Sequence, residues 1–186
     1  MEKSCLTFSE KYGKLITMRI GVTSDTHIPV RGHSLPAILI QEFSNVDLIL
    51  HAGDILTMDV LRELEKLAPV KAVCGNMDKP EISEHLEQKM VIEVEDVRIG
   101  LIHGSGSKIG LASRIKKEFS NNAAPANQAV DCIVYGHTHV PECRIEDNIL
   151  FFNPGSPTDT VFAPYRSFGI IEVNGNKMKG ILINVE

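Results

Sequence analysis

The chain has no tryptophan, and its four cysteines at 5, 74, 132 and 143 form no CxxC pair. A structural zinc knuckle is therefore excluded. Cys74 and Cys132 sit in apolar runs and read as buried free thiols, small core hydrophobes in a reducing compartment. No apolar run reaches transmembrane length. Residues 1–17 lack a continuous apolar segment, so a secretory signal is not expected and a cytoplasmic location is. An excess of positive charge is missing too: 19 Lys and Arg stand against 24 Asp and Glu, a net charge of -5. That balance disfavours a nucleic-acid polymer, whose backbone asks for a basic face. Small phosphorylated substrates stay open, because bound metal ions reverse charge locally. No repeat or low-complexity tract occurs. The glycine-rich stretch Gly104–Gly110 fits neither GxxxxGK[ST] nor GxGxxG and reads as a tight turn into a helix, not as a phosphate loop.

At 186 residues one domain is expected, enough to bury roughly 70% of the unfolded surface. Hydrophobic content of 43% and charged content of 23% are ordinary for a globular protein. Residues 1–17 have no clear period and are set apart as an N-terminal extension without assigned function. The domain is placed at 18–186. Arg19–Thr23, Asp47–His51 and Val70–Cys74 are short apolar runs that predict strands. Between them lie predicted helices at Leu35–Phe43, with Ser34 as N-cap and Pro36 in the first turn, and at Thr57–Leu67. Strand and helix alternating with short loops predicts parallel α/β layering. The pattern then changes. Lys89–Glu95 and Val97–His103 predict a hairpin. A helix is expected at Ile109–Phe119, a surface loop at Asn121–Gln128 and a buried strand at Asp131–Tyr135. Further hairpins are expected at Glu142–Phe152 around Asp147, and at Phe168–Val185 around Asn174-Gly175. Two packed sheets with helices outside follow.

Asp25, His27, Asp54, Asn76, His103, His137 and His139 each come just after an apolar run, where a strand ends. Asp25 and His27 are two apart, as are His137 and His139, so in extended chain each pair can point one way. Two carboxylates, four imidazoles and an amide, with no thiolate, suit Mn²⁺, Fe, Zn²⁺, Ni²⁺ or Co²⁺ better than Ca²⁺ or Mg²⁺. A closed zinc site takes four ligands; this set suits two ions if a carboxylate bridges, and Asp54 is the candidate bridge. Two divalent ions and two aspartates leave an excess of +2. Such a site attracts phosphate and supplies a metal-bound hydroxide as nucleophile. His33 and His85 are expected at the surface. His51 could orient a ligand or be structural.

DTH (25–27), GD (53–54), GN (75–76), His103, GHTH (136–139) and NPGS (153–156) together resemble the ordered motifs of the calcineurin-like metallophosphoesterases. Within them the chain resembles the small YfcE/Vps29-like phosphodiesterase family. The resemblance runs from about Met18 to the end. It implies a four-layer αββα sandwich, α/β in class, of two mixed sheets flanked by helices. It implies one ion on Asp25, His27, Asp54 and His139, and a second on Asp54, Asn76, His103 and His137, with Mn²⁺ favoured. Asp54, Asn76 and His103 would be the catalytic residues, and Asn76 would also touch the substrate phosphate. The substrate would be a small or nucleotide-like phosphodiester. No membrane partner is implied, and a homodimer is left open. Many relatives carry His after the GN pair as a general acid; here Met77 stands there, and Asp78 follows as a candidate substitute or loop anchor. Relatives of the Vps29 branch serve as protein-binding scaffolds, and a phosphomonoesterase would use the same ligands; both stay open as alternatives.

Overall fold

The computed structural model describes residues 17–120 and 129–186. The expected loop at 121–128, Cys5 and all but the last residue of the N-terminal extension lie outside the described residues. The first sheet is built on β1 (Met18–Thr23), β2 (Leu48–His51) and β3 (Val70–Ala72), all parallel. Helices α1 (Ala37–Phe43) and α2 (Met58–Glu65) connect them. β9 (Ser167–Asn174) and β10 (Lys177–Asn184) add antiparallel to the free side of β1, giving the order β10-β9-β1-β2-β3. The second sheet has β4 (Lys89–Val94), β5 (Val97–Ile102), β6 (Cys132–Val134), β7 (Glu142–Glu146) and β8 (Ile149–Asn153), in the order β4-β5-β6-β8-β7. Its three middle strands are parallel and its edges antiparallel. A short α3 (Pro80–Ser83) follows the first sheet, and α4 (Leu111–Ser120) joins β5 to β6.

Period-two alternation sorts the side chains into layers. Ile20, Val22, Leu48 and Leu50 face Ile99, Leu101, Val134 and Phe152 across the gap between sheets. The odd partners point outward. Ile49 packs under Leu39, Phe43, Leu61 and Leu64 of α1 and α2. On the far face Ile133 and Phe151 pack against Leu111 and Ile115 of α4. Each such large side chain, taken wholly out of water, contributes about 1.5–3 kcal/mol. The four layers αββα are thus three apolar seams. No helix among the described residues is long and apolar enough to cross a membrane.

Local expectations shift at element ends. Pro36, not Ser34, precedes the first helix, and no side chain caps it. Thr57 is the N-cap of α2, which ends at Glu65, four residues before Pro69. The β9–β10 register pairs Asn174 with Lys177, so the turn residues are Gly175 and Asn176, one step later than expected. Asp147 and Asn148 both take positive φ (51° and 62°) between β7 and β8, the backbone a two-residue hairpin requires. The short helix α3 has no periodic signal and was not anticipated. Cys132 is buried as expected, but Cys74 is only partly so.

Gly21 shows how closely α1 lies on the sheet: a Cβ there would sit 2.8 Å from Cδ1 of the fully buried Phe43. Gly21→Ala is expected to cost about 1–3 kcal/mol through overpacking, seen as a lowered urea midpoint with an unchanged m-value.

Candidate metal centre

The parallel strands β1, β2, β3, β5 and β6 all end at one edge of the sandwich, and every candidate ligand sits in the loop just beyond such an end. This is where parallel α/β sheets place ligands. Asp25, His27, Asp54, His137 and His139 adopt positive φ between 42° and 69°. That conformation costs a non-glycine residue free energy and persists only where the surroundings impose it. Close approach imposes it here. A Cβ on Gly136 would lie 2.6 Å from Asp25 Oδ2, and one on Gly75 would lie 2.8 Å from Asp54 Cγ. Only glycine lets these loops touch.

The ligand atoms converge. Asp25, His27, Asp54 and His139, all buried, each offer an atom within 4.8 Å of the others. His139 Nε2 lies 3.1 Å from Asp25 Oδ1 and 3.3 Å from His27 Nε2. Asp54 Oδ2 stands 3.4 Å from His27 Nε2 and 3.3 Å from His103 Nε2, between two groups of imidazoles. His137 Nε2 donates to the Gly106 carbonyl at 2.7 Å, which leaves its Nδ1 against Asn76 Oδ1 at 2.9 Å. His103 and His137 rings meet edge-on at 5.5 Å. Atoms bound to one ion at about 2.1 Å are spaced by roughly 3–3.5 Å; the nearest pairs here have that spacing, and His27 Nε2 and Asp25 Oδ1 stand wider at 3.9 Å.

A cation would fit this donor set. His103 Nδ1 donates to the Ala52 carbonyl at 2.7 Å, so in the neutral ring Nε2 is a bare lone pair. It is buried without a hydrogen-bond partner and faces Asp54 Oδ2. Two acceptors in that position repel unless a proton or a metal ion lies between them. Without metal the proton takes the place: burial opposes the charge, but Asp54 and Asp25 outweigh it and lift His103 to about 9. Burial also resists ionisation of Asp25, yet its hydrogen bond to His139 and the nearby His103 hold it at about 2. His27 is pushed down, chiefly by burial.

A second set of residues holds the first. Ser24 donates to Asp25 Oδ2 at 2.6 Å, and the His137 N–H reaches the same oxygen at 3.1 Å. Oδ1 is left facing the site. The NPGS segment staples the loops of the two sheets. Asn153 Nδ2 donates to the Gly136 carbonyl and to Thr138 Oγ1, both at 3.0 Å, while Ser156 Oγ donates to the Asp25 carbonyl at 2.7 Å. Among the described residues His51 makes no hydrogen bond to a candidate ligand side chain. Its Nδ1 accepts the Gly53 N–H at 3.2 Å and its Nε2 meets Thr26 Oγ1 at 3.1 Å, and burial depresses it to about 3. It is a neutral tie between the DTH and GD loops. Asp78 is a loop anchor. Its carboxylate accepts N–H groups of Asp54 (3.1 Å), Ile55 (2.6 Å), Leu56 (2.8 Å) and Gly75 (2.7 Å). Met77 is exposed and its N–H donates to Asp54 Oδ1 at 2.8 Å. His33 and His85 are exposed, as expected.

Asp159 escaped sequence reasoning. It is buried, and one oxygen makes a short hydrogen bond with His139 Nδ1, turning Nε2 toward Asp25. Its only signal was a carboxylate three residues past NPGS, with no pattern to mark it.

Residues 18–176 match the model of the calcineurin-like phosphoesterase superfamily domain. The chain belongs to that superfamily. A probable metallophosphoesterase of Methanothermobacter thermautotrophicus is 37% identical over 166 residues, 89% of this chain and 92% of that protein. A phosphodiesterase of Methanocaldococcus jannaschii is 30% identical over 154 residues, covering 74% and 83%. In fold, the vacuolar protein sorting 29 structure of Cryptosporidium parvum superposes with a TM-score of 0.72 at 18% identity, covering 91% of this chain and 98% of that one.

Two outcomes test the site. An ion held by His103 Nε2 would displace its proton, because coordination needs that lone pair. At pH 7.5, below about 9, calorimetry of metal binding in buffers of different ionisation enthalpy should show proton release, fading by pH 10 where the ring is already neutral. Asp159→Asn, which loosens His139, should weaken metal affinity about 10–100-fold with the fold retained, measured by competition with a chelating dye.

Proposed function

We propose that the protein is a dinuclear-metal-dependent phosphodiesterase acting on small or nucleotide-like diesters. Asp25, His27, Asp54 and His139 would hold one ion, and Asp54, Asn76, His103 and His137 the other. The observation that carries this reading is Asp54 Oδ2, about equally far from His27 Nε2 and His103 Nε2. One oxygen there can serve two ions. Divalent ions, Mn²⁺ first and Ni²⁺, Zn²⁺, Fe or Co²⁺ also compatible with the donors, would acidify a water and draw charge from the phosphate oxygens.

The protein's own groups set what reacts. Asn76 is exposed at the rim, where its amide can meet the phosphate as well as an ion. A cleft of about 730 Å³ opens beside Asn76 and His103. Ile102, Leu111 and Ile115 give it apolar walls, and Glu87, Gln88, Lys89, Arg114 and Glu118 polar ones. Its cations are occupied: Lys89 pairs with Glu118 at 2.7 Å, and Arg114 donates to the carbonyls of Ser105 (3.0 Å) and Ile109 (2.9 Å). Such a cleft suits an uncharged organic substituent more than a second anion, which favours a diester over a bare monoester. Proton supply to the departing oxygen is weak. The thioether of Met77 has no proton to give, and Asp78 is engaged as an acceptor by four N–H groups. Good leaving groups are therefore favoured. The scaffold alternative rests on fold likeness alone, while every ligand position is filled.

The test is metal-stripped protein re-loaded with Mn²⁺, Ni²⁺, Zn²⁺ or Mg²⁺. We expect hydrolysis of bis(p-nitrophenyl) phosphate to exceed that of p-nitrophenyl phosphate. No turnover with any ion would overturn the reading. Met77→His should speed alkyl esters by tenfold or more, within the range of about 10²–10⁴ for general-acid catalysis, and change aryl esters little. Equal gains on both would remove the general-acid account.

A further inference from the structure

Three loops bring an aromatic ring and two cations beside His139, one of the candidate ligands. The loop after β1 packs on the loop after β8: a Cβ on Gly32 would lie 2.9 Å from Thr158 Cγ2, and Thr158 Oγ1 donates to the Thr26 carbonyl at 2.7 Å. This contact puts the Arg31 guanidinium carbon 4.7 Å from the centre of the Phe162 ring. From the loop after β5, Lys108 Nζ comes within 5.9 Å of the same ring. Phe162 in turn meets the His139 ring edge-on at 6.3 Å and remains 58% exposed.

Each of the three is fixed to a segment that carries a candidate metal ligand. The Arg31 N–H donates to the His27 carbonyl at 2.8 Å. Lys108 donates to the carbonyl of Thr138, between His137 and His139, at 2.9 Å. Asp159 Oδ1 accepts the N–H groups of Val161 (2.8 Å) and Phe162 (3.2 Å), while its other oxygen holds His139. Arg31 differs from the cations of the cleft. Among the described residues no carboxylate lies within ion-pair reach of it, and its guanidinium is recorded only against the Phe162 face. Stacking on a ring fixes the plane of a guanidinium and leaves its N–H fork free for a planar or tetrahedral oxyanion. In a chain of net charge -5, two cations that pair with no carboxylate among the described residues, beside a phosphate-handling site, need a reason.

We infer that Arg31 and Lys108, with Phe162 as the platform that positions Arg31, form a specificity site for a second phosphate group on the substrate. This rests on the phosphodiesterase reading above: the scissile phosphate goes to the ions, and the second, unreacting one goes to the guanidinium fork and the ammonium. The favoured substrate class is then a nucleotide-like diester bearing a further terminal phosphate, with its uncharged part free to lie along the apolar cleft. Charge-assisted hydrogen bonds of this kind are the strong ones, and each typically changes affinity about tenfold or more.

A matched pair of substrates tests it: thymidine 5′-(p-nitrophenyl phosphate) with and without a 3′-phosphate, on the Mn²⁺-loaded full chain. The 3′-phosphorylated ester should show a KM about tenfold lower at similar kcat. Arg31→Ala should bring the two KM values within about twofold of each other, and Arg31→Lys should keep part of the preference. Calorimetry gives a readout independent of turnover: thymidine 3′,5′-bisphosphate should bind more tightly than thymidine 5′-monophosphate in the parent and equally in Arg31→Ala. Turnover of both esters with equal KM, or equal binding of both nucleotides by the parent, overturns the second-phosphate site and leaves the diesterase reading intact. Absence of turnover with an Arg31-dependent preference for the bisphosphate does the reverse.

Discussion

Lone pairs of carboxylates and imidazoles crowd together at one edge of the sandwich. Asp54 Oδ2 has an imidazole nitrogen on either side at 3.3 and 3.4 Å, and His103 Nε2 is buried with nothing to bond. Acceptors packed like this repel, and burial removes the water that would screen them. For His103 Nε2, which has no hydrogen-bond partner among the described residues, the remedy within the chain is protonation, and His103 accordingly rises to about 9. A divalent ion is the stronger remedy, because it meets several lone pairs at once. The rest of this edge is best understood as scaffolding against that repulsion.

The scaffolding is mostly backbone hydrogen bonding by short polar side chains. Five candidate ligands hold positive φ, at about 1–3 kcal/mol each, so the loops must be tied from outside. Asp78 collects four N–H groups from the two loops after β2 and β3. Ser156 and Asn153 reach from β8 into loops of opposite sheets. His51, neutral and buried, closes the gap between the DTH and GD loops. These contacts cross between elements that the apolar seams only bring near one another. Burial sets the sandwich; the polar staples set the positions of the ligand atoms within it.

Much of this could be seen in the residue string, for identifiable reasons. Strand ends announce themselves by the sudden stop of an apolar run, so Asp25, Asp54, Asn76, His103 and His137 were all placed in loops at the right edge. The pairs Asp25/His27 and His137/His139 suggest side chains pointing one way in extended chain, but all four residues take positive φ, so extended-strand geometry alone does not bring them together. Element ends were less legible. Ser34 looked like an N-cap but makes no capping bond, because tertiary packing of Leu39 and Phe43 decides where α1 starts. Asp159 was invisible, since its partner His139 lies twenty residues away and only the folded loop brings them together. Arg31 and Phe162 were hidden for the same reason: a cation and a ring in separate loops carry no joint pattern until those loops touch.

Met77 and Asp78 play opposite parts in the turn after Gly75 and Asn76. Asp78 holds the loops through four N–H groups, and to act as an acid it would have to bind a proton on an oxygen already ringed by donors. That would turn acceptors away from Gly75 and from the segment Asp54–Leu56 and loosen the very carboxylate proposed to bridge the ions. The anchor cannot double as the acid. Met77, by contrast, donates its N–H to Asp54, and the residue is 58% exposed. The side chain is therefore the one part of this turn open to change without disturbing the ligand atoms. On the proposed diesterase reading, a thioether there would leave the departing oxygen to solvent, and discrimination among esters would fall to groups that bind the substrate away from the reacting bond.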